Sequence, residues 1–327
     1  MTKEIILEFS DNDLVPFLFG EYNDHLSYIE RKLDIHISDR GNLLRISGNN
    51  ESACKAKLVL ESLYSSLESK ELKTITHADI DSELRFIKSE KPKTRKVMKN
   101  KNSSNKKSKG PVIKTKNKTI APRSPNQVKY LELINSRDMV FGLGPAGTGK
   151  TYLSVAAGVD MYLQGKVERL VFCRPAVEAG ENLGFLPGDM KEKIDPYLRP
   201  IYDALRDMLP WDFLMKKMEI GEIEIAPLAF MRGRTLAHSY VILDEAQNST
   251  CSQMKMFLTR MGENSHVVIT GDPTQSDLPK NTDSGLNEAL DILKDVKDIG
   301  FITFDSEDVI RHGLVRKIIN AYESHNK

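Results

Sequence analysis

The spacing of apolar residues changes several times along the chain, and each change predicts an element. Ile5, Ile6, Leu7 and Phe9 alternate well enough with polar neighbours to predict a strand over residues 3–9. After an apolar stretch at 14–20, Leu26, Ile29 and Leu33 recur at helical spacing across 24–33. Ile35 and Ile37 alternate again. Arg40, Gly41 and Asn42 supply turn chemistry, and Leu43, Leu44 and Ile46 predict the returning strand of a hairpin. From Asn50 to Leu72 the period is helical, with Ala53, Leu58, Leu60, Leu63, Leu67 and Leu72 as candidate core residues. The order β-α-α-β-β-α describes a small α+β domain over residues 1–87.

Between 88 and 123 the pattern vanishes. Lys, Asn, Ser and Thr dominate, and such a segment cannot bury enough surface to offset the entropy of ordering it. It is expected to be a disordered linker. The pattern resumes with a helix carrying Val128, Leu131, Leu133 and Ile134, and then short apolar runs end at fixed kinds of residue. Met139–Leu143 runs into glycines, 167–172 into Cys173 and Arg174, 240–243 into Asp244 and Glu245, and 267–270 into Gly271 and Asp272. Residues 220–226 alternate, 301–304 predict another strand, and 308–322 predict a closing helix. Apolar strands alternating with helices predict a parallel α/β sheet over 124–327, with functional residues at the C-terminal strand ends.

Those ends carry the chemistry. Gly144, Pro145, Ala146, Gly147, Thr148, Gly149, Lys150 and Thr151 form the pattern G-x-x-x-x-G-K-[ST] between a strand and a helix, the context of a phosphate-binding loop. Backbone N–H groups wrap an anion only where no Cβ intervenes and φ can turn positive, which selects glycine. The helix that follows adds its unpaired N–H groups and positive dipole end. Lys150 is expected to reach the β and γ phosphates of ATP, and Thr151 to hold Mg²⁺ together with Asp244. Glu245 is the candidate general base for the attacking water. Gln275 lies where an amide can sense the γ-phosphate, a spacing similar to that of superfamily 1 helicases. Gln127, about 17 residues before the loop, resembles the adenine-reading glutamine of helicase-like ATPases, since a carboxamide can bond N6 and N7 together. Arg311 and Arg174 are candidates for neutralising charge in the transition state.

Composition narrows the class. The net charge of +1 conceals a segregation: residues 88–123 carry roughly +13, whereas each flank carries about −6. A mobile cationic segment of that density is a candidate RNA contact. Three scattered cysteines make neither a disulfide framework nor a zinc site. No apolar run is long enough to span a membrane and no charged-then-apolar leader precedes the first domain, so a cytoplasmic location is expected.

The segments GPAGTGKT, RPAVEAGENLGFLPGDMKEKIDPYLRPIYDAL, APLAFMRGRT, VILDEAQN, TGDPTQ and DVIRHGLV closely resemble the PhoH-like ATPase family over about residues 124–327. The N-terminal element order resembles a KH-type RNA-binding domain. Its clamp loop corresponds to Gly20, Glu21, Tyr22 and Asn23, where the second glycine is absent and an acid is present. A KH-like domain and basic linker resemble the bacterial branch of the family. The resemblance implies a cytoplasmic ATPase with a RecA-like core, a role in RNA metabolism, assembly into a homo-oligomeric ring, and association with a ribosomal-RNA endoribonuclease of the YbeY type. Two rivals stay open: a helicase competent only when assembled, since one RecA-like domain fits after the loop and two do not, and a nucleotide-gated adaptor with slow turnover.

Overall fold

A computed structural model describes residues 2–69, 72–89, 110–175, 190–279 and 281–310, which fall into two units. In the first, β1 (Thr2–Glu8), α1 (Val15–Phe19), α2 (Asp24–Leu33), β2 (Ile35–Arg40), β3 (Leu43–Asn49) and α3 (Asn50–Glu68) follow in the predicted order. The antiparallel sheet is ordered β1-β3-β2. Asn49 caps α3 by accepting from the Glu51 N–H, which fixes where the hairpin ends and the helix begins. Leu18, Ile29, Leu44, Ile46 and Leu60 are fully buried. Leu58 is not a core residue: it is 38% exposed, and Val59 takes the buried position beside Leu60. The stripe Ala53, Ala56, Val59, Leu60, Leu63, Leu67 keeps i, i+3, i+4 spacing, and Leu58 lies off it. A further helix, α4 (His77–Ser89), packs on α3 and was not predicted.

The linker reading needs correction at its C-terminal end. β4 (Ile113–Lys114) and β5 (Thr119–Ile120) form a hairpin, and Ile113 and Ile120 are buried in the core of the second unit. Two isoleucines spaced across a turn suffice to anchor so polar a stretch. Residues 90–109, where most of the charge lies, are outside the described residues.

The second unit continues with α5 (Pro125–Ser136), β6 (Met139–Leu143), α6 (Lys150–Leu163), β7 (Arg169–Arg174), α7 (Met190–Met208), α8 (Trp211–Glu219), β8 (Ile223–Pro227), β9 (Ser239–Leu243), α9 (Cys251–Leu258), β10 (His266–Gly271), α10 (Gly285–Leu293) and β11 (Ile299–Thr303). Six strands make one parallel sheet, ordered β11-β6-β10-β9-β7-β8. Apolar clusters cover both faces, so β9 is buried along its length, as its unbroken apolar run requires. The order places β6, β10 and β9 side by side. Three segments far apart in sequence therefore end at one rim. The predicted closing helix is described only to residue 310, and Ser306–Asp308 form a short 3-10 turn there; Arg311 lies outside the described residues.

Candidate nucleotide site

The turn between β6 and α6 is built as its glycines predict. Gly144, Gly147 and Gly149 have φ of 132°, 85° and 84°. A Cβ on Gly144 would lie 2.4 Å from the Phe304 carbonyl oxygen, so the backbone there tolerates no side chain. The loop is braced on two sides. Ile310 N–H donates to the Gly147 carbonyl (2.9 Å), and Gln127 Nε2 donates to the Thr148 carbonyl (2.8 Å).

Lys150 Nζ donates to the Gly144 and Pro145 carbonyls at 2.6 and 2.8 Å, curling over its own loop. Burial pushes its ammonium pKa down, against the opposing pull of Glu245, Asp272 and Asp244. Thr151, at the start of α6, donates its hydroxyl to Asp244 Oδ1 (2.7 Å). Thr270, near the end of β10, donates to the same oxygen (2.6 Å). Asp244 is only 3% exposed. These hydroxyl and carboxylate oxygens are hard donors suited to Mg²⁺, which keeps several waters and binds through one or two protein groups plus substrate phosphates.

Glu245 follows in a left-handed backbone conformation (φ 53°). Its carboxylate is held from two sides: Gln247 Nε2 donates to Oε2 (2.6 Å), and Arg174 Nη2 lies 3.4 Å from Oε1. Gln247 also accepts the Asp272 N–H at its Oε1 (3.1 Å), tying Glu245 to the turn after β10. In that turn Asp272 Oδ1 accepts from both the N–H and the hydroxyl of Thr274. Gln275 is thereby presented to a cleft of about 730 Å³ whose lining also includes Lys150, Thr151, Asp244, Glu245 and Asp272.

Most of the predicted residues thus meet in one place: the loop 144–151, Asp244, Glu245, Gln275 and, through Glu245, Arg174. Gln127 is near the loop but does not line the cleft. It is 2% exposed, and its amide supports the loop backbone. Sequence reasoning gave no role to Gln247 or Thr270. Thr270 had a signal, a hydroxyl closing an otherwise apolar strand. Gln247 had none, because its role is to join Glu245 to the Asp272 N–H, which lies 25 residues away in sequence.

The profile of the PhoH-like protein family matches residues 119–323. A PhoH-like protein of Bacillus subtilis is 46% identical over 315 residues, covering 94% of each chain. One from Mycobacterium bovis is 44% identical over 95% of this chain and 85% of its own. Protein PhoH of Escherichia coli is 46% identical over 205 residues, 62% of this chain and 58% of its own. Among solved structures, the large terminase of a thermophilic bacteriophage aligns over 60% of this chain and 49% of its own, with a TM-score of 0.37 and 13% identity. No helix among the described residues is long and apolar enough to cross a membrane.

Proposed function

The chain belongs to the PhoH-like protein family, and from that premise we propose that it is a Mg²⁺-dependent ATPase acting in RNA metabolism. The observation that carries this reading is the bond from Thr151 to Asp244 (2.7 Å), which joins the phosphate loop to a buried strand-end carboxylate beside Glu245. Loop N–H groups and Lys150 bind the β and γ phosphates, and Lys150 exchanges its two carbonyl partners for phosphate oxygens. Thr151 and Asp244 would hold Mg²⁺, which supplies neutralising charge at those oxygens. Thr270 keeps Asp244 aimed. Glu245 accepts a proton as water attacks the γ-phosphoryl group, releasing ADP and phosphate, and Gln275 contacts that group. Lys150→Ala is expected to abolish tight ATP binding. Glu245→Gln should bind ATP yet lose turnover by about 10²–10⁴-fold, the usual worth of general-base catalysis. Near-normal hydrolysis by Glu245→Gln would place the base elsewhere.

The basic segment before residue 110 supports RNA as the partner. About five lysine contacts to single-stranded RNA correspond to a slope of log K against log salt near −3.5. Deleting 91–109 should remove most of that slope while basal ATPase persists; an unchanged slope would reduce the segment to a spacer. The Arg174–Glu245 ion pair favours a second reading, in which Glu245 is restrained until a partner draws Arg174 away and turnover is slow. A nuclease partner, rather than RNA, would then stimulate hydrolysis. ATPase assays with each added separately discriminate the two. In a ring, a neighbouring chain would face the open side of this cleft and complete the site.

A further inference from the structure

The phosphate end of the cleft is fixed by the loop and Asp244, but the cleft is longer than that end. Among the described residues the rest of its lining comes from α7, where Pro200, Asp203, Ala204 and Asp207 recur at i, i+3, i+4, i+7, with Arg206 beside them and Tyr152 against Asp207. We propose that this wall holds the nucleoside end of the nucleotide, and so sets base and sugar recognition. The proposal rests on the reading of the cleft as a triphosphate site.

The wall is assembled rather than incidental. Tyr152, in the first turn of α6, donates its hydroxyl to Asp207 Oδ2 (2.6 Å), and Lys118 of the β4–β5 hairpin pairs with the same oxygen (2.5 Å). The hairpin also closes the end of α7. Asn117 donates its N–H to the Met208 carbonyl (3.1 Å) and its amide to the Arg206 carbonyl (3.3 Å), two acceptors a helix C-terminus leaves over. Arg206, exposed on the cleft lining, lays its guanidinium 4.1 Å from the Trp211 ring centroid, which places a cation where a base can stack. The exposed Asp203 carboxylate has no hydrogen-bond partner among the described residues. As an acceptor it suits ribose hydroxyls or an exocyclic amino group. Gln127, the base reader expected from sequence, is not part of this lining.

Inorganic tripolyphosphate carries the phosphate end alone and separates the two claims. Affinities of ATP and of tripolyphosphate, each with Mg²⁺, are measured calorimetrically for the wild type, Asp203→Ala and Arg206→Ala. Both side chains are exposed, so folding should survive, and circular dichroism checks it. The expected result is about a tenfold weaker ATP affinity in each variant, the worth of one charged hydrogen bond or stacked cation, with tripolyphosphate changed less than about twofold. Trp211 is the only tryptophan; its emission should respond to ATP and not to tripolyphosphate. Equal losses for both ligands, or unchanged ATP affinity and a silent Trp211, would overturn the assignment while leaving the phosphate site intact. A wild type that binds neither ligand would instead remove the triphosphate reading and the assignment with it.

Discussion

Gln247→Glu is the most searching single change at this site. The substitution is nearly isosteric. It keeps an oxygen to accept the Asp272 N–H (3.1 Å) but replaces the amide that donates to Glu245 Oε2 at 2.6 Å. A carboxylate there cannot donate when ionised, and it places a second negative charge against the candidate base. A hydrogen bond to a charged group contributes about 1.5–3 kcal/mol. If Glu245 must hold its aim to accept the proton, loss of that bond alone should lower kcat by roughly 10–100-fold. Nucleotide affinity should change little, because the loop and Lys150 are untouched. The assay is steady-state ATP hydrolysis paired with equilibrium binding of a fluorescent ATP analogue. Gln247→Leu, which removes both bonds, should also lower the melting temperature, since it leaves the Asp272 N–H unpaired in a buried site. Unchanged kcat in Gln247→Glu, in a protein where Glu245→Gln is inactive, would show that Glu245 needs no such restraint and sink the argument.

Three further outcomes are expected. Cys173 is fully buried at the end of β7 and burial pushes its thiol pKa far up, so alkylation at about pH 8, near the ordinary thiol pKa, should label Cys54 and Cys251 but spare Cys173 until denaturant is added; labelling of Cys173 in the native protein would contradict this packing. Hydrogen bonds from Lys118 and Tyr152 hold the Asp207 pKa below the ordinary carboxylate value, while Asp207 raises that of Lys118. That contribution is present above about pH 4, is lost as pH falls through the lowered Asp207 pKa, and at the other end fades as pH rises through the raised Lys118 pKa, above about 10.4. The melting-temperature gap between wild type and Asp207→Asn should accordingly be constant near neutrality and close in acid; a gap that widens as pH falls would reverse the assigned sign. Finally, Arg174 already pairs with Glu245 of its own chain, which makes Arg311 the better candidate to act on a neighbour's site. Mixing Arg311→Ala with Lys150→Ala chains should restore activity in co-assembled particles, and proven co-assembly without rescue would refute it.

The local chemistry of the site was legible in the sequence because it is written in contiguous residues. Only glycine serves at 144, 147 and 149, where φ is positive and Gly144 abuts the Phe304 carbonyl. A lysine and a hydroxyl must follow such a loop, and Asp244 and Glu245 end a strand whose apolar run is unbroken. The hairpin of the first unit was equally local, set by turn residues and alternation. In the loop at 20–23, where a second glycine is absent, Tyr22 and Asn23 take positive φ (51° and 62°), a conformation asparagine tolerates and a bulky residue rarely adopts. What the tertiary structure decided was every relation between distant segments. Strand order, not sequence order, sets β10 between β6 and β9, and so lets Thr270 bond Asp244 and Gln247 join Glu245 to the turn after β10. The burial of Ile113 and Ile120 converted the end of a charged linker into part of the core, because two apolar residues found a hydrophobic face that composition could not reveal. Gln127, read in the sequence as a candidate for adenine, directs its amide to a backbone carbonyl of the loop in a buried corner. Sequence specifies which groups are present and what each can do; which of them meet depends on how helices and strands stack to bury their apolar faces.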